Sequence, residues 1–350
     1  MSIYLADHGA NANDVFDNTA AFNSAIAAMK AAKDSRLVLT NGGILRVKGN
    51  VFFDWDLHRN GIEILGNGAA IRMIREGIAK PHFRIASAYS NVAIRNVRFL
   101  GYKEVAAQVD VDGYIMRIDN ARSVTFDNCQ IYGLRGANLD PSGDPFAGLI
   151  AVYTAMNFNW LNCDIEGSIS MHGGAAVSLY NVSKALFRGS HFVDYTNATV
   201  DANYSKASGF TGQPAWIRHK NVAPVSADGN RTSLVVDSCF TDERCPFAID
   251  TDNVHDVEIR SHFANSHDVA TGAVLNVNNA YNVRVRGGHC WKFAQDNTPF
   301  ARISNTGKTE IDSVTITRQA GPLSTALVLA DGFSRPNVII KNAPLLLRAS

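Results

Sequence analysis

The sequence predicts an all-β fold: a single-stranded parallel β-helix of about ten to eleven coils, closed at its N-terminus by one capping α-helix. Three observations predict it. A short phrase recurs along the chain, a further strand precedes each copy, and an amphipathic segment lies ahead of the first copy.

The phrase sets apolar residues at alternate positions on both sides of an Asn or Ser. Val124, Phe126, Asn128, Cys129 and Ile131 match Phe158, Trp160, Asn162, Cys163 and Ile165, and also Val92, Ile94, Asn96, Val97 and Phe99. Looser copies begin at Ile62, Ala185, Leu234, Val257, Val283, Thr309 and Val338, at intervals of 23 to 34 residues apart from the longer step between Ala185 and Leu234. A period of this size marks a solenoid. Alternation on both sides of a polar corner means two short strands meeting at a bend, which excludes a helical repeat. Asn suits that corner because it tolerates the left-handed backbone region.

The strand before each phrase ends on Asn120, Asn181, Asn253, Asn279 or Asn305. Three strands and two polar corners per coil describe a parallel β-helix, whose coils stack about 4.8 Å apart. Near the N-terminus, Asp17 or Asn18 is placed to cap a helix on which Phe22, Ile26 and Met29 share one face. That face covers the open end of the apolar interior, where bare strand edges invite aggregation. Residues 1–36 are therefore read as an opening segment with its capping helix, and 37–350 as the β-helix, in one continuous domain.

Residues 6–39, with a Gly-Ala turn, an Asp-rich loop, the helix and the first strand, together with the repeated phrase, resemble the pectate-lyase-like superfamily of right-handed parallel β-helices, of the phage tailspike and exopolysaccharide depolymerase type. The resemblance implies a polysaccharide partner, an extracellular or virion-associated setting and a homotrimer as the assembly to expect. It does not choose a reaction, because one fold hosts many. The run of motifs expected of the pectin-hydrolase branch is missing: Asp250-Thr251-Asp252, Gly288-His289 and Arg302-Ile303 repeat fragments of it at other intervals.

A net charge of +1 over 350 residues gives no general attraction to nucleic acid or membrane. No apolar stretch of spanning length occurs, and the N-terminus lacks the basic start and apolar run of a signal peptide. Five cysteines are an odd set for a disulfide framework. Cys129 and Cys163 hold the same inward position in successive phrases, and Cys239 is assigned to it too, so they are read as core-filling thiols. No Cys-His spacing suggests zinc. His191, His262 and His289 recur near one corner and are read as a solvent-facing ladder.

In the strand before each phrase, the inward residues are Ile118, Val152, Leu179, Ile217, Thr251, Val277 and Ile303. The outward pairs are then Arg117 with Asp119, Ala151 with Tyr153, Ser178 with Tyr180, Trp216 with Arg218, Asp250 with Asp252, Asn276 with Asn278, and Arg302 with Ser304. Long connections over 133–148, 194–214 and 292–299 enter this strand and suit the walls of a groove. The next strand instead presents Glu258, Arg284 and Glu310 beside Asp237, Arg260, Arg286 and Asp312, a solvated face of paired charges.

Asp250 and Asp252 are the candidate catalytic pair. Side chains two apart on a strand lie about 6.6 Å apart at their bases, within the spacing of acid and base in inverting glycosidases. Neighbouring carboxylates disfavour double ionisation, which supplies a protonated acid beside a water-activating base. Asp242, Glu243 and Asp268, in loops entering this rung and the next, are alternates for one member of the pair. Tyr153, Tyr180 and Trp216 offer rings for stacking on sugars, and Asn276, Asn278 and Arg302 complete a substrate surface. No cofactor is required for hydrolysis. A uronate lyase uses the same residues differently, with Ca²⁺ on Asp250 and Asp252 and Arg218 as base. A non-catalytic carbohydrate-binding or tail-fibre module is the third reading.

Overall fold

The polar corners of the phrase set the shape of the molecule. Asn96, Asn128, Asn162, Gly189, Ser238, Ser261, Gly287, Ser313 and Asn342 all hold positive φ, between 47° and 65°. A second column, at the end of the preceding strand, does the same through Asn120, Thr154, Asn181, Asn253 and Asn279. Left-handed backbone costs an ordinary L-residue about 1–2 kcal/mol, which is why short polar residues and glycine recur at these positions. Asn128 Nδ2 also donates to Asn96 Oδ1 of the previous rung at 2.7 Å, so the corner residues brace one another.

The computed structural model describes residues 2–55, 61–73, 83–87, 89–101, 116–132, 135–136, 148–166, 169–170, 175–193, 215–222, 231–241, 247–265, 273–292, 300–304, 307–318, 328–331, 338–342 and 347–349. Among them, one parallel sheet of twenty strands folds around the second corner column, and another of eleven strands closes the coil. The eleven strands, from Asn13–Asp17 to Thr315–Arg318, mark successive coils of a right-handed parallel β-helix. Register is direct from rung to rung: Val124 pairs with Phe158, and Phe158 with Ala185.

In-register stacking piles like on like inside the coil. Phe126 lies 4.9 Å from Trp160 between ring centroids, and Phe158 5.4 Å from Phe187, in an aromatic spine buried from solvent. Contacts of this kind contribute about 0.5–1.5 kcal/mol each beyond the apolar area they bury. The helix Thr19–Ala32 buries Phe22, Ile26 and Met29 against the first coils, with Phe22 edge-on to Phe83 at 5.6 Å. Asn18 stands at its N-cap without a capping bond, while Asp17 Oδ1 accepts from the Thr19 amide at 3.1 Å.

The inward column after each corner runs Val97, Cys129, Cys163, Ser190, Cys239, His262, Gly288 and Val314, and from Val97 to Gly288 each carbonyl accepts from an amide of the next rung. Its thiols are buried and free of disulfides. Burial pushes the Cys239 thiol up to about 11 and raises Cys163 too, so both stay protonated fillers. His262 belongs to this column, which corrects the solvent-facing ladder read from sequence. The tripeptide Ser-His-Phe occurs twice, but Gly189 is the corner in one copy and Ser261 in the other. That single-residue offset turns His262 inward, 6% exposed, while His191 stays outside.

Candidate active site on the entering-strand face

Two outward rows run across the rungs of the strand before each phrase. The first pairs Arg84, Arg117, Ala151, Ser178, Arg218, Asp250, Asn276 and Arg302 in turn. The second pairs Asp119, Tyr153, Tyr180, Lys220, Asp252, Asn278 and Ser304. Consecutive members of a row lie about 4.8 Å apart, the spacing of parallel strands.

The rows differ in depth. In the first, Ala151, Ser178, Arg218 and Asp250 are all at most 5% exposed, whereas every member of the second is partly open to solvent. The first row adjoins a bend at which two successive residues both face the core: Leu149 and Ile150, Ala176 and Val177, Trp216 and Ile217, Ala248 and Ile249, Val274 and Leu275. Strand pairing skips the first residue of each of these couples from Leu149 to Val274.

This bend corrects the placement of Trp216. Its ring is 4% exposed and packs on Phe192 at 5.9 Å inside the core, where no sugar reaches it. The rung also stands two residues away from the register expected from the sequence. Its inward counterpart of Leu179 and Thr251 is His219, not Ile217, and its outward pair is Arg218 with Lys220. A slip of two preserves which side each residue faces, and an apolar Ile looks a better core residue than His. The corner asparagine carried the true register: Asn221 follows Lys220 as Asn253 follows Asp252. Lys220, in register between Tyr180 and Asp252, is thus a residue of this face that alternation alone does not place there.

Asp250 is the hub of the sunken row. Its Oδ2 accepts from Arg218 Nε at 2.8 Å and lies 3.4 Å from Lys220 Nζ, and its Oδ1 accepts from Asn276 Nδ2 at 2.8 Å. With Arg218 and Asp250 side chains 6% and 4% exposed, this is a buried ion pair. Asp252 differs. Its Oδ1 accepts from Asn278 Nδ2 at 3.0 Å and Asn279 Nδ2 at 2.9 Å, no described residue donates to its Oδ2, and it faces solvent in part. The two carboxylates of one strand therefore occupy unlike environments.

Behind them the core is polar. His219 and Thr251, register partners between the two pairs, are fully buried. His219 Nε2 lies 2.8 Å from the Val182 carbonyl, and burial pushes the imidazole down to about 4.

Tyr153 and Tyr180 meet edge to face at 5.9 Å, and Arg117 lies over the Tyr153 ring at 4.2 Å from its centroid. Asn278 Oδ1 accepts from Ser304 Oγ at 2.7 Å. Asp242, Glu243 and Asp268 lie outside the described residues, as do 194–214 and 293–299. The residues present do not fit Ca²⁺: both oxygens of Asp250 take donors, two of them cationic, and Asp252 Oδ1 takes two amides. Among the described residues no group of three or more His, Cys, Asp or Glu is placed to hold a metal ion. No helix among them is long and apolar enough to cross a membrane.

The molecule is a parallel β-helix. Among solved structures it is similar to tailspike protein 3 of bacteriophage CBA120, at 10% identity and a TM-score of 0.50, covering 100% of this chain and 60% of that one. It is also similar to PfbA, a surface adhesin of Streptococcus pneumoniae, at 10% identity and a TM-score of 0.54, covering 98% of this chain and 83% of that one. Likeness at such identities is likeness of fold. Compared by sequence, the chain matches no family profile and no curated protein.

Proposed function

We propose that the protein binds a polysaccharide along the second row, from Tyr153 to Ser304, and hydrolyses a glycosidic bond there. The observation that carries this is the row itself: two tyrosines, a lysine, a carboxylate, an amide and a hydroxyl on consecutive rungs, all partly open to solvent. Rings with polar edges suit sugars, and the amide and hydroxyl suit their hydroxyl groups.

Within this reading the labour divides between the two acids. Asp252 is the carboxylate that meets substrate and moves a proton. Asp250 positions the row, holding Arg218, Lys220 and Asn276 in place from below. The second proton-transferring carboxylate then falls to Asp242, Glu243 or Asp268, the alternates that the sequence offers. Arg218, buried and bonded to Asp250, is poorly set to take a proton from a uronate, which weighs against a lyase. The setting proposed with this activity is extracellular or virion-associated, with a homotrimer as the assembly to test.

The test is incubation with a panel of bacterial surface polysaccharides, followed by assays for new reducing ends and for the ultraviolet absorbance of unsaturated uronates. Reducing ends without absorbance are expected, and Asp252→Asn should lower their rate at least 100-fold, the lower end of what a general acid or base contributes. Absorbance together with reducing ends would make the enzyme a lyase. Binding with neither product would leave a carbohydrate-binding module.

A further inference from the structure

We infer that the polysaccharide is acidic, and that Lys220 and Arg302 are the residues that select it. This rests on the reading above, in which the polymer lies along the same rungs.

Lys220 makes one ion pair, at 3.4 Å, to an Asp250 oxygen that already accepts from Arg218 at 2.8 Å. Its side chain is 29% exposed, so it is in part open to a ligand on the face. Arg302 has no hydrogen bond or ion pair to any described residue, and its Nε is buried without a partner. Its register neighbours are Asn276 and Leu329, neither of them acidic. Arg302 as a whole is partly open to solvent, so its guanidinium charge stands unanswered by any described residue on a face that a ligand can reach.

A neutral glycan offers hydroxyls to such donors, but a carboxylate or sulfate makes hydrogen bonds roughly twice as strong, and a guanidinium matches its geometry. The two cations stand three rungs apart, roughly 14 Å, with Asp252 between them. An acidic polymer whose charged groups fall on both flanks of Asp252 meets both cations and keeps its anions off that carboxylate.

The test is affinity electrophoresis of the intact protein through gels containing polygalacturonate, alginate or hyaluronan, dextran sulfate, or the neutral polymers dextran, xylan and glucomannan. Retardation by at least one acidic polymer and by no neutral one is expected. It should weaken with added salt and fall about tenfold for Lys220→Gln and again for Arg302→Gln, while Lys220→Arg keeps it. Thermal midpoints of the variants separate lost recognition from lost fold. The carboxylated and sulfated arms tell which acid is read. Preference for a neutral polymer, or retardation that the double variant leaves unchanged, overturns this inference and leaves the polysaccharide reading standing. Retardation by none of the polymers withdraws both.

Discussion

At the scale of single residues, Asp250 and Asp252 separate by depth. Both lie two apart in one strand and looked equivalent in the sequence, because alternation reports which way a side chain faces and not how far solvent reaches. Burial of the first row arises beside the bend at Trp216 and Ala248, where two successive residues face inward, a feature that period-two reading does not contain. The difference has a measurable consequence. Asp250→Asn removes the carboxylate charge that the buried Arg218 bonds and should destabilise the fold by about 3 kcal/mol, read from the urea midpoint. Asp252→Asn, partly exposed and held by two amides, should leave that midpoint nearly unmoved. Equal midpoints for the two variants would sink the hub assignment. The one rung misplaced by two residues was legible after all, through Asn221, had the corner been weighed above the apolar appearance of Ile217.

At the scale of elements, the coil was readable because each strand-turn-strand unit repeats its own chemistry. Alternating apolar residues gave the strands, and the corner Asn, Ser or Gly gave the turns, which the structure holds at positive φ. What the phrase could not report was an offset of one, as between the two Ser-His-Phe copies, since the corner there is Gly189 in one case and Ser261 in the other. The corners themselves make a direct prediction. Asn128, at φ 51° and bonded to Asn96, should lose about 1–2 kcal/mol on replacement by Ala, whereas Asn128→Gly should cost less because glycine adopts that backbone freely. Chemical denaturation of the two variants checks the order, and an Ala variant as stable as the Gly variant would remove the left-handed requirement as its cause.

At the scale of the whole molecule, burial holds two imidazoles among the described residues, those of His219 and His262, near 4 against an ordinary 6.5. The neutral form is the folded form, and the unfolded chain takes up the protons. Stability is therefore fully present above pH 6.5 and is lost as pH falls from there towards 4, by about 3 kcal/mol for each histidine across that window. Urea midpoints measured from pH 7 to pH 4 should fall accordingly. Replacing His262 by Cys, the residue its column holds at Cys239, together with His219→Leu, should flatten the profile. An unchanged slope in that variant would place the acid sensitivity elsewhere.

The bend beside the site has a use beyond burial. Five successive rungs, from Leu149 to Val274, re-enter the core with an inward couple, whether the sequence connection before them is long, as in 194–214, or short, as in 266–272. The couple resets the phase of the strand, so those rungs keep their outward pairs in register whatever arrives upstream. Connections can be exchanged, lengthened or grafted there as interchangeable parts on a fixed chassis, and new specificities can be sampled without re-cutting the frame that displays them.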